Sequence, residues 1–387
     1  MNSQAVKLLF ALIRVAIFDK KITEEEKNEA SPEFLNEAFL IAKKHDVSHM
    51  VAQGMVESGL VQSDNTVITS DLYKAIYRYQ QINYEYTRIC SSLECGKIAF
   101  LPLKGAVIRK YYAKPWMRTS CDIDILVHKD DLANAIAHLS NTLNYTEKEK
   151  TGHDVSLYSA SGVHIELHFD LVEEGRANDA ESILRTVWQN VVLKDGCAYH
   201  YEMSDEFLYF YHIAHMAKHF ESGGCGIRPL IDLFILDNIK DGDWKKRDEL
   251  LERGELLTFT EVCRSLSRYW FDFGEPSDLV LKLQDFLLNG GVYGTTDNRV
   301  ALQQKKRGGR IGFFFSRIFI PYQKLRRYYP VLEKHPWLMP IMQIRRWFLL
   351  FRPDVAWTAR RELQINQSLD EAKAEEMNRF RSDLGIK

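Results

Sequence analysis

Several features that would place a chain in a specialised class are missing from this sequence of 387 residues. Its six cysteines are scattered, and no two of them form a Cys-x-x-Cys pair. This pattern argues against a disulfide framework or a zinc site, and it predicts a protein of the reducing cytoplasm. An internal repeat and a low-complexity segment are also missing. The composition is therefore that of an ordinary globular protein.

Long hydrophobic runs and a strong net charge are missing as well. No run of about 18 apolar residues is present, so a transmembrane helix is not expected. The apolar stretch from Val6 to Phe18 is interrupted by Lys7 and Arg14 and is followed by charged residues. It predicts a buried amphipathic helix rather than a signal peptide. The formal net charge of -2 gives no general attraction to nucleic acid or to a membrane.

The sequence patterns divide the chain into four parts. They are a helical region (1–95), a mixed α/β core (96–200), a second helical region (201–295) and a basic, aromatic, helical region (296–387). In the first part, Thr23 and Ser31 have the spacing of helix caps. A long helical pattern from Asp71 to Cys90 carries a tyrosine stripe, which we predict to face the core.

The most informative stretch runs from Phe100 to Val127 and includes Asp122-Ile123-Asp124. Side chains alternate across a strand, so Asp122 and Asp124 are predicted to share a face while the intervening apolar residues enter a core. With a rise of roughly 3.3 Å per residue, the two carboxylates begin about 6.6 Å apart and can converge on divalent cations. The alternative is an exposed polar face on an edge strand.

A lysine and a glycine precede this strand, within the segment from Leu101 to Ala106. The segment predicts a strand, a turn at Gly105 and a helical run from Val107 to Tyr112. Backbone N–H groups at the N-terminus of such a helix attract anions, and Lys104 adds a positive charge. A phosphate-binding turn is therefore one interpretation, and a plain glycine turn is the other.

A third carboxylate lies on a predicted hairpin. Asp154 to Ser159 and Val163 to Leu171 form two strand patterns around a Ser-Gly turn. Glu166 and His168 share one face of the second strand. If that strand lies beside the strand of Asp122, Glu166 completes a cluster of three carboxylates. The alternative is a solvated strand face.

These elements resemble the nucleotidyltransferase superfamily that includes DNA polymerase beta, and more closely a bacterial family of uncharacterised nucleotidyltransferases. The matching pieces are Leu103-Lys104-Gly105, Tyr111 or Tyr112, Arg118, Asp122 to Val127 and Ile165 to His168, with a looser likeness at His215, His219 and Asp232. Two positions depart from the superfamily pattern. Ala106 follows Gly105 where Ser or Gly is common, and Glu166 stands where Asp is more common.

The resemblance implies transfer of a nucleoside monophosphate from a nucleoside triphosphate to an acceptor hydroxyl, with release of pyrophosphate. It implies that Asp122, Asp124 and Glu166 are catalytic and hold two Mg²⁺ ions, with Glu166 either binding the second ion or accepting the hydroxyl proton. The predicted nucleotide-binding residues are Lys104, Gly105, Arg118, Ser120, His168 and Arg228. The acceptor is unidentified, with a small molecule, a protein or a sugar favoured over nucleic acid.

Three histidines, His212, His215 and His219, share one face of a helix predicted after residue 204. One straight helix rarely surrounds an ion with three ligands. We therefore predict that this face packs against the α/β core and donates hydrogen bonds into the cleft. Arg228, before the next helix, is predicted to face a triphosphate or to pair with Asp232.

The last part of the chain has basic clusters at Lys305 to Arg310, Arg326-Arg327 and Arg345-Arg346, beside aromatic residues. Three interpretations stay open: a membrane-surface helix, a nucleic-acid contact, and a packed helical cap with lysine and arginine on its solvent side. Interrupting prolines favour the packed cap. We expect the clusters to lie at the rim of the active cleft and to attract an anionic acceptor or surface. The charged end from Asp370 to Lys387 predicts a surface helix or a frayed end.

The predicted fold is α+β: a small mixed nucleotidyltransferase sheet with flanking helices, embedded in a largely helical chain. Replacing Asp122 or Asp124 with Ala is expected to abolish Mg²⁺-dependent turnover, and loss of like-charge repulsion is expected to stabilise the protein. A rival hypothesis keeps the fold without the chemistry, as a binding or scaffold protein that uses its basic C-terminal region. The missing turn serine favours this rival, and the three acids oppose it.

Overall fold

The computed structural model describes residues 2–172, 179–239, 242–292, 294–349 and 353–386. Most of the described chain is helical, and a mixed five-stranded sheet lies in the part predicted to be α/β. The fold is therefore α+β, as the sequence predicts.

Helices fill the chain before the sheet. They are α1 (Ser3–Phe18), α2 (Glu24–Asn28), α3 (Pro32–Lys44), α4 (Ser48–Glu57) and α5 (Thr66–Cys95). The predicted caps are confirmed, because Thr23 forms a capping box with Glu26 and the Ser31 side chain accepts from the Phe34 N–H. Helix α1 is buried on nearly all sides rather than amphipathic, since Arg14 is buried in an ion pair with Glu26.

The prediction that the tyrosine stripe of α5 faces the core holds for Tyr86, which packs against a buried hydrophobic cluster, and is wrong for three other tyrosines. Tyr73, Tyr77 and Tyr84 are exposed on the outer face of the helix. The buried stripe consists of smaller residues at helical spacing: Leu72, Ala75, Ile82, Ile89 and Leu93. Because the phenol group carries a hydroxyl that water can solvate, tyrosine occupies an outer face more readily than the aliphatic residues that pack on the sheet.

The sheet and its flanking helices come next. They are β1 (Phe100–Pro102), α6 (Gly105–Ile108), β2 (Asp122–Val127), α7 (Leu132–Leu143), β3 (Thr146–Lys150), β4 (Asp154–Tyr158) and β5 (His164–His168). The strand order is β1-β2-β5-β4-β3. Strands β2 and β5 are parallel, while every other neighbouring pair is antiparallel. The hairpin around Gly162 is thus confirmed, and its second strand lies beside the strand of Asp122.

The two faces of β2 enter different environments, as the alternation predicts. Ile123, Ile125 and Val127 belong to a hydrophobic cluster that α5 and α7 cover. Leu126 belongs to a second, larger cluster on the opposite face, which also includes residues from α1, α4 and α9 (Asp205–Glu221). The face of Asp122 and Asp124 is therefore turned toward the helical part of the protein.

A short helix and a small hairpin connect the sheet to the second helical part. They are α8 (Asp179–Leu184), β6 (Val191–Leu193) and β7 (Tyr201–Met203), followed by α9, α10 (Arg228–Asp237), α11 (Trp244–Arg253), α12 (Leu257–Phe271) and α13 (Asp278–Gly290). The larger hydrophobic cluster crosses the predicted boundaries near residues 95 and 200. The helical parts therefore pack on the sheet as one core, and the division into four domains stays a prediction.

The C-terminal part consists of short helices separated by prolines, as predicted. They are α14 (Thr296–Lys306), α15 (Gly309–Ile318), α16 (Tyr322–Tyr328), α17 (Val331–Lys334), α18 (Met339–Leu349), α19 (Pro353–Ser368) and α20 (Glu371–Asp383). At the end of the chain, α20 exposes most of its charged residues, as predicted for a surface helix, and it also buries a narrow apolar face. Phe380 of α20 packs against the rings of Phe220 and Phe286, and Leu384 is fully buried. Charged residues dominate the composition of this segment, so its composition does not reveal the few apolar residues that pack against the core.

The prediction that lysine and arginine lie on the solvent side of a packed cap holds for Lys324, Lys334 and Arg345, which are exposed, but other arginines bond within the segment. Arg317 forms an ion pair with Glu362, Arg310 donates to a backbone carbonyl of Leu369, and Arg346 donates to the carbonyls of Ile318 and Arg317. These arginines therefore point into the C-terminal segment, while apolar residues of the same helices are exposed. The side chains of Lys305, Lys306 and Arg327 lie outside the described residues, and the position of the clusters at the cleft rim stays a prediction.

No helix in the described ranges is both long and apolar enough to cross a membrane. The six cysteines are free thiols.

Candidate active site

The carboxylates of the two parallel strands lie together on one face of the sheet. In the register of β2 and β5, Asp122 is opposite His164 and Asp124 is opposite Glu166. Ligand atoms of Asp122, His164 and Glu166 lie within 4.8 Å of one another, and so do those of Asp124, Glu166 and His168. Glu166 is therefore shared by both groups, and the structure brings the three predicted acids together.

Asp124 is the most tightly held acid of this cluster. Its Oδ1 atom accepts hydrogen bonds from Lys104 Nζ at 2.6 Å and from His168 Nε2 at 2.9 Å. The same donors approach Glu166 Oε2, at 3.9 Å from Lys104 Nζ and 3.5 Å from His168 Nε2. Lys104 and His168 thus supply the positive charge and the N–H group that a buried carboxylate needs.

Electrostatics separate the two aspartates. Burial raises the pKa of Asp124, but the Lys104 charge and the His168 hydrogen bond outweigh burial and hold this pKa well below its usual range. Burial lowers the pKa of His168, and its hydrogen bonds to Asp124 and Glu166 leave it raised overall. The pKa of Asp122 is raised by burial and by the charge of Asp124. The surroundings of Asp124 therefore stabilise its anionic form, whereas those of Asp122 disfavour its anionic form.

The turn before α6 differs from its predicted form. The positive φ of 48° belongs to Lys104 rather than to Gly105. Gly105 is instead required by close approach, because a Cβ atom there would lie 3.3 Å from Arg118 Nη1 and 3.4 Å from Ser120 Cβ. Helix α6 has only four residues and is followed by a 3₁₀ turn, so its dipole is small. Side chains, more than a helix terminus, provide the positive charge here.

Arg109 is a site residue that the sequence analysis missed. Its Nε atom donates to the Gly105 carbonyl at 2.8 Å, and its Nη2 atom donates to Ser120 Oγ at 2.8 Å. Burial, followed by the charge of Arg118, lowers the pKa of Arg109 to about 10. The spacing of Arg109 four residues after Gly105 was the available signal, because a helical turn brings those two positions together. Ser120 also places a hydroxyl beside Gly105, near the turn where Ala106 has none.

Arg118 is held by a buried carboxylate from a distant part of the chain. Its Nε atom lies 2.8 and 2.9 Å from the two carboxylate oxygens of Asp232 in α10. Asp232 also accepts a hydrogen bond of 2.6 Å from the Tyr112 hydroxyl and has an exposed fraction of 0%. Arg118 is therefore fixed beside Gly105 by an ion pair that crosses from the sheet to the helical part.

The loop before Asp122 is fixed through its backbone carbonyls. His49 Nε2 bonds to the Met117 carbonyl at 2.8 Å, Arg78 Nη2 donates to the Cys121 carbonyl at 2.7 Å, and Arg228 Nη1 donates to the Thr119 carbonyl at 3.2 Å. Three helices thus position one loop, which orients the start of β2. Such fixation reduces the reorganisation that binding would otherwise require.

One alternative for Arg228 is overturned. It forms an ion pair with Asp46, while Asp232 is occupied by Arg118. The chain path explains the difference, since the start of α10 lies next to the turn between α3 and α4. The other alternative, contact with a triphosphate, stays a prediction.

Helix α9 lies against the carboxylate cluster. Burial raises the pKa of Tyr211, with smaller effects from the charges of Lys104 and Asp124. Burial and the Lys104 charge lower the pKa of His215. Residues of α9 also share one hydrophobic cluster with Leu101, Leu103 and Leu126 of the α/β core, which confirms the predicted packing of this helix against that core.

The hydrogen bonds of the three histidines stay within the helical part. His212 Nε2 bonds to the Pro229 carbonyl at 2.9 Å, and the Nε2 atoms of His215 and His219 are 3.1 Å apart. This differs from the predicted hydrogen bonds into the cleft, because the neighbouring α10 and the next turn of α9 offer closer partners.

Comparison with known proteins decides the family. A family model described as an uncharacterised nucleotidyltransferase matches residues 35–272, which is more than half of the chain. The chain belongs to this nucleotidyltransferase family. The matched residues include the three acids, Lys104, Arg118 and helices α9–α12. The match ends before α13. No curated protein and no solved structure matches the nucleotidyltransferase significantly.

Replacing Asp122 and replacing Asp124 should change the stability of this nucleotidyltransferase in opposite directions. The sequence alone led us to expect that either replacement would stabilise the protein. Asp124→Asn leaves Lys104 and His168 without an anionic partner, and an unpaired buried charge typically costs about 3 kcal/mol or more. Asp122→Asn removes a charge that burial and Asp124 disfavour, so its unfolding midpoint should rise. Urea unfolding of both variants at neutral pH measures the difference. A similar loss of stability in both would contradict the assignment of Lys104 and His168 to Asp124.

Proposed function

We propose that this nucleotidyltransferase transfers a nucleoside monophosphate from a nucleoside triphosphate to an acceptor hydroxyl and releases pyrophosphate. The observation that carries the proposal is the position of Glu166 on the sheet face of the two aspartates: its ligand atom lies within 4.8 Å of that of Asp122 in one group and within 4.8 Å of that of Asp124 in the other. Three carboxylates so close together repel one another unless cations neutralise them.

The donor set fits Mg²⁺. Carboxylate oxygens are hard ligands that magnesium prefers, and Asp122, Asp124 and Glu166 would hold one or two such ions. His168 acts through its N–H group on Asp124, so it orients this ligand rather than binding the ion. When bound, the ions would neutralise phosphate charge and polarise the attacking and leaving oxygens.

Positive side chains around Gly105 would bind the triphosphate. Lys104, Arg109 and Arg118 surround the turn, and Ser120 adds a hydroxyl there. Their positions are fixed in advance by Asp124, the Gly105 carbonyl and Asp232. Fixed charges stabilise developing negative charge without reorganisation during the reaction. Arg228 and His168 complete the proposed nucleotide-binding set.

Glu166 has the position of a general base as well as that of a ligand. It is partly exposed, whereas Asp124 is buried, so an acceptor hydroxyl can approach Glu166 more easily. Proton acceptance at Glu166 Oε2 would activate that hydroxyl for attack on the α-phosphorus. A hydroxyl of a small molecule, a protein or a sugar fits this role.

The decisive experiment uses triphosphates labelled at different phosphates. The protein is incubated with Mg²⁺, a cell extract as the source of acceptor, and each nucleoside triphosphate labelled at either the α- or the γ-phosphate. Nucleotidyl transfer places the α-label on the product and releases the γ-label as pyrophosphate. Transfer of the γ-label to a product would contradict the proposal and indicate phosphoryl transfer.

A second candidate is a catalytically inactive binding protein of the same fold. It is favoured by one observation: Lys104 and His168 both bond to Oδ1 of Asp124, one of the two oxygens with which this residue could bind a metal. Such a protein would show no transfer of either label. A Mg²⁺-dependent rise of the unfolding temperature with nucleoside triphosphate, together with α-label transfer, separates the enzyme from this alternative.

A further inference from the structure

The C-terminal segment, beyond the family match, contains a helix that presents its apolar face to solvent. In α15 the outward residues Ile311, Phe314 and Phe315 follow the spacing i, i+3 and i+4, and Ile311 has an exposed fraction of 73%. The polar side chains of the helix face inward, because Arg317 pairs with Glu362 at 2.7 Å and Ser316 accepts from Arg307. Phe313 is also fully buried on the inner side, so α15 is apolar on both sides, and its outer face is apolar where that of a surface helix is usually polar.

Helix α18 also has an apolar outer face. Ile341, Ile344 and Phe348 are exposed at the spacing i, i+3 and i+7, and Phe348 has an exposed fraction of 68%. The buried side of this helix carries polar groups instead, since Gln343 donates to the Ile320 carbonyl and Arg346 donates to the Ile318 carbonyl. Hydrogen bonds hold this helix, and Ile341, Ile344 and Phe348 are exposed to solvent.

The two helices adjoin each other. Trp347 Nε1 donates to the Ile318 carbonyl at 2.8 Å, and the rings of Phe319 and Trp347 meet edge to face at 5.4 Å. Their outward side chains thus belong to one region, which we call the apolar surface: Ile311, Phe314, Phe315, Ile341, Ile344 and Phe348. An exposed apolar region of this kind usually marks a contact with a partner or a membrane.

Positive charge and interfacial aromatics surround the apolar surface. The sequence from 305 to 352 contains twelve lysines and arginines and one acid, in a chain whose net charge is -2. Arg345 lies exposed on the same face of α18, and Lys324 and Lys334 are exposed nearby in sequence. Trp337, exposed by 71%, and Tyr328 are of the type enriched where hydrocarbon meets water.

We propose that the apolar surface docks on an anionic lipid bilayer, with its side chains below the headgroups and the basic residues at the headgroup level. Basic charge beside exposed aromatic and aliphatic residues is the pattern of interfacial membrane helices. Nucleic acid explains the charge but not the isoleucines, because bases stack on aromatic and guanidinium planes. A second copy of the chain would bring two surfaces of the same positive sign together. This docking does not depend on nucleotidyl transfer.

Vesicle flotation with the full-length protein tests the proposal. Vesicles of phosphatidylcholine alone are compared with vesicles that contain roughly one third phosphatidylglycerol. The protein is expected to float with the anionic vesicles and to bind the neutral ones far less. Salt should weaken the binding without abolishing it, because the Debye length falls from about 10 Å at 0.1 M to about 3 Å at 1 M while apolar insertion persists.

Matched double variants distinguish the loss of the apolar surface from the loss of exposed apolar residues elsewhere on the protein. Ile311→Ser with Phe348→Ser should lower the partition coefficient on the order of 100-fold, since insertion of each large side chain contributes about tenfold or more. The control, Leu40→Ser with Tyr77→Ser, removes one exposed aliphatic and one exposed aromatic residue from α3 and α5 and should bind normally. Arg345→Glu should weaken binding by about tenfold. Because all five residues are exposed, the unfolding temperature should stay near that of the unmodified protein.

Several outcomes would overturn the docking. One is failure to float with anionic vesicles, and another is equal loss of binding in the Leu40/Tyr77 control. A third outcome is salt-sensitive binding of a single-stranded oligonucleotide without any binding of vesicles. If Arg345→Glu weakens that binding and the Ile311/Phe348 double variant leaves it unchanged, the partner is nucleic acid. Self-association that the Ile311/Phe348 variant abolishes, again without vesicle binding, would identify a second copy.

Discussion

Asp122→Asn is expected to abolish nucleotidyl transfer while leaving the protein folded and more stable. The substitution removes one anionic oxygen from the group formed with Glu166, which would hold Mg²⁺. The rate should fall by more than the roughly 100- to 1,000-fold that loss of one stabilising donor costs. Release of labelled pyrophosphate from γ-labelled triphosphate, with the extract that supports the unmodified enzyme, measures the effect.

Asp130→Asn is the matched control for this change. Asp130 lies in the 3₁₀ turn before α7, eight residues from Asp122, and it is exposed. The same change of charge there should leave the rate unaltered. Because Asp122→Asn is also expected to raise the unfolding midpoint, a lost rate cannot be attributed to unfolding. A wild-type rate in Asp122→Asn with Mg²⁺ present would remove Asp122 from the metal site.

Asp232→Asn is expected to lower the free energy of unfolding by about 3–5 kcal/mol. The change leaves the Arg118 guanidinium buried without its anionic partner and weakens the hydrogen bond from the Tyr112 hydroxyl. Urea unfolding followed by circular dichroism measures the loss. The double variant Arg118→Met with Asp232→Leu should recover part of it, since replacing both members of a buried pair by apolar residues is often neutral.

The exposed pair of Arg228 and Asp46 provides the control for this prediction. Asp46→Asn removes the same charge from an aspartate that also pairs with arginine, but more than half of the Asp46 side chain is exposed. An exposed ion pair typically contributes at most about 1 kcal/mol. If Asp46→Asn and Asp232→Asn destabilise the protein equally, burial does not set the strength of these pairs.

Local patterns predicted the strands and their faces well. The alternation in Asp122 to Val127 predicted which side chains enter the core under α5 and α7, and the structure confirms it. The turn signal at Gly162 is confirmed in the same way. These features depend on residues adjacent in sequence, whose backbone preferences act over a few bonds.

Patterns of composition predicted burial less well. Tyrosine is apolar over most of its surface, but Tyr73, Tyr77 and Tyr84 lie on the outer face of α5. The charged α20 is packed against Phe220, and Arg317 of α15 points inward to Glu362. In each case a hydrophobic scale misleads, because long or amphipathic side chains can bury one part and expose another.

The sequence by itself determined that two aspartates share a strand face, that a glutamate and a histidine share a face of a later strand, and that a lysine precedes a tight turn. Only the tertiary structure decided that β5 lies parallel to β2 with Glu166 opposite Asp124, and that Asp232 holds Arg118 across 114 positions of sequence. The first group follows from periodicities of single strands and turns. The second is a choice among many long-range pairings, whose free-energy differences come from the packing of the whole core.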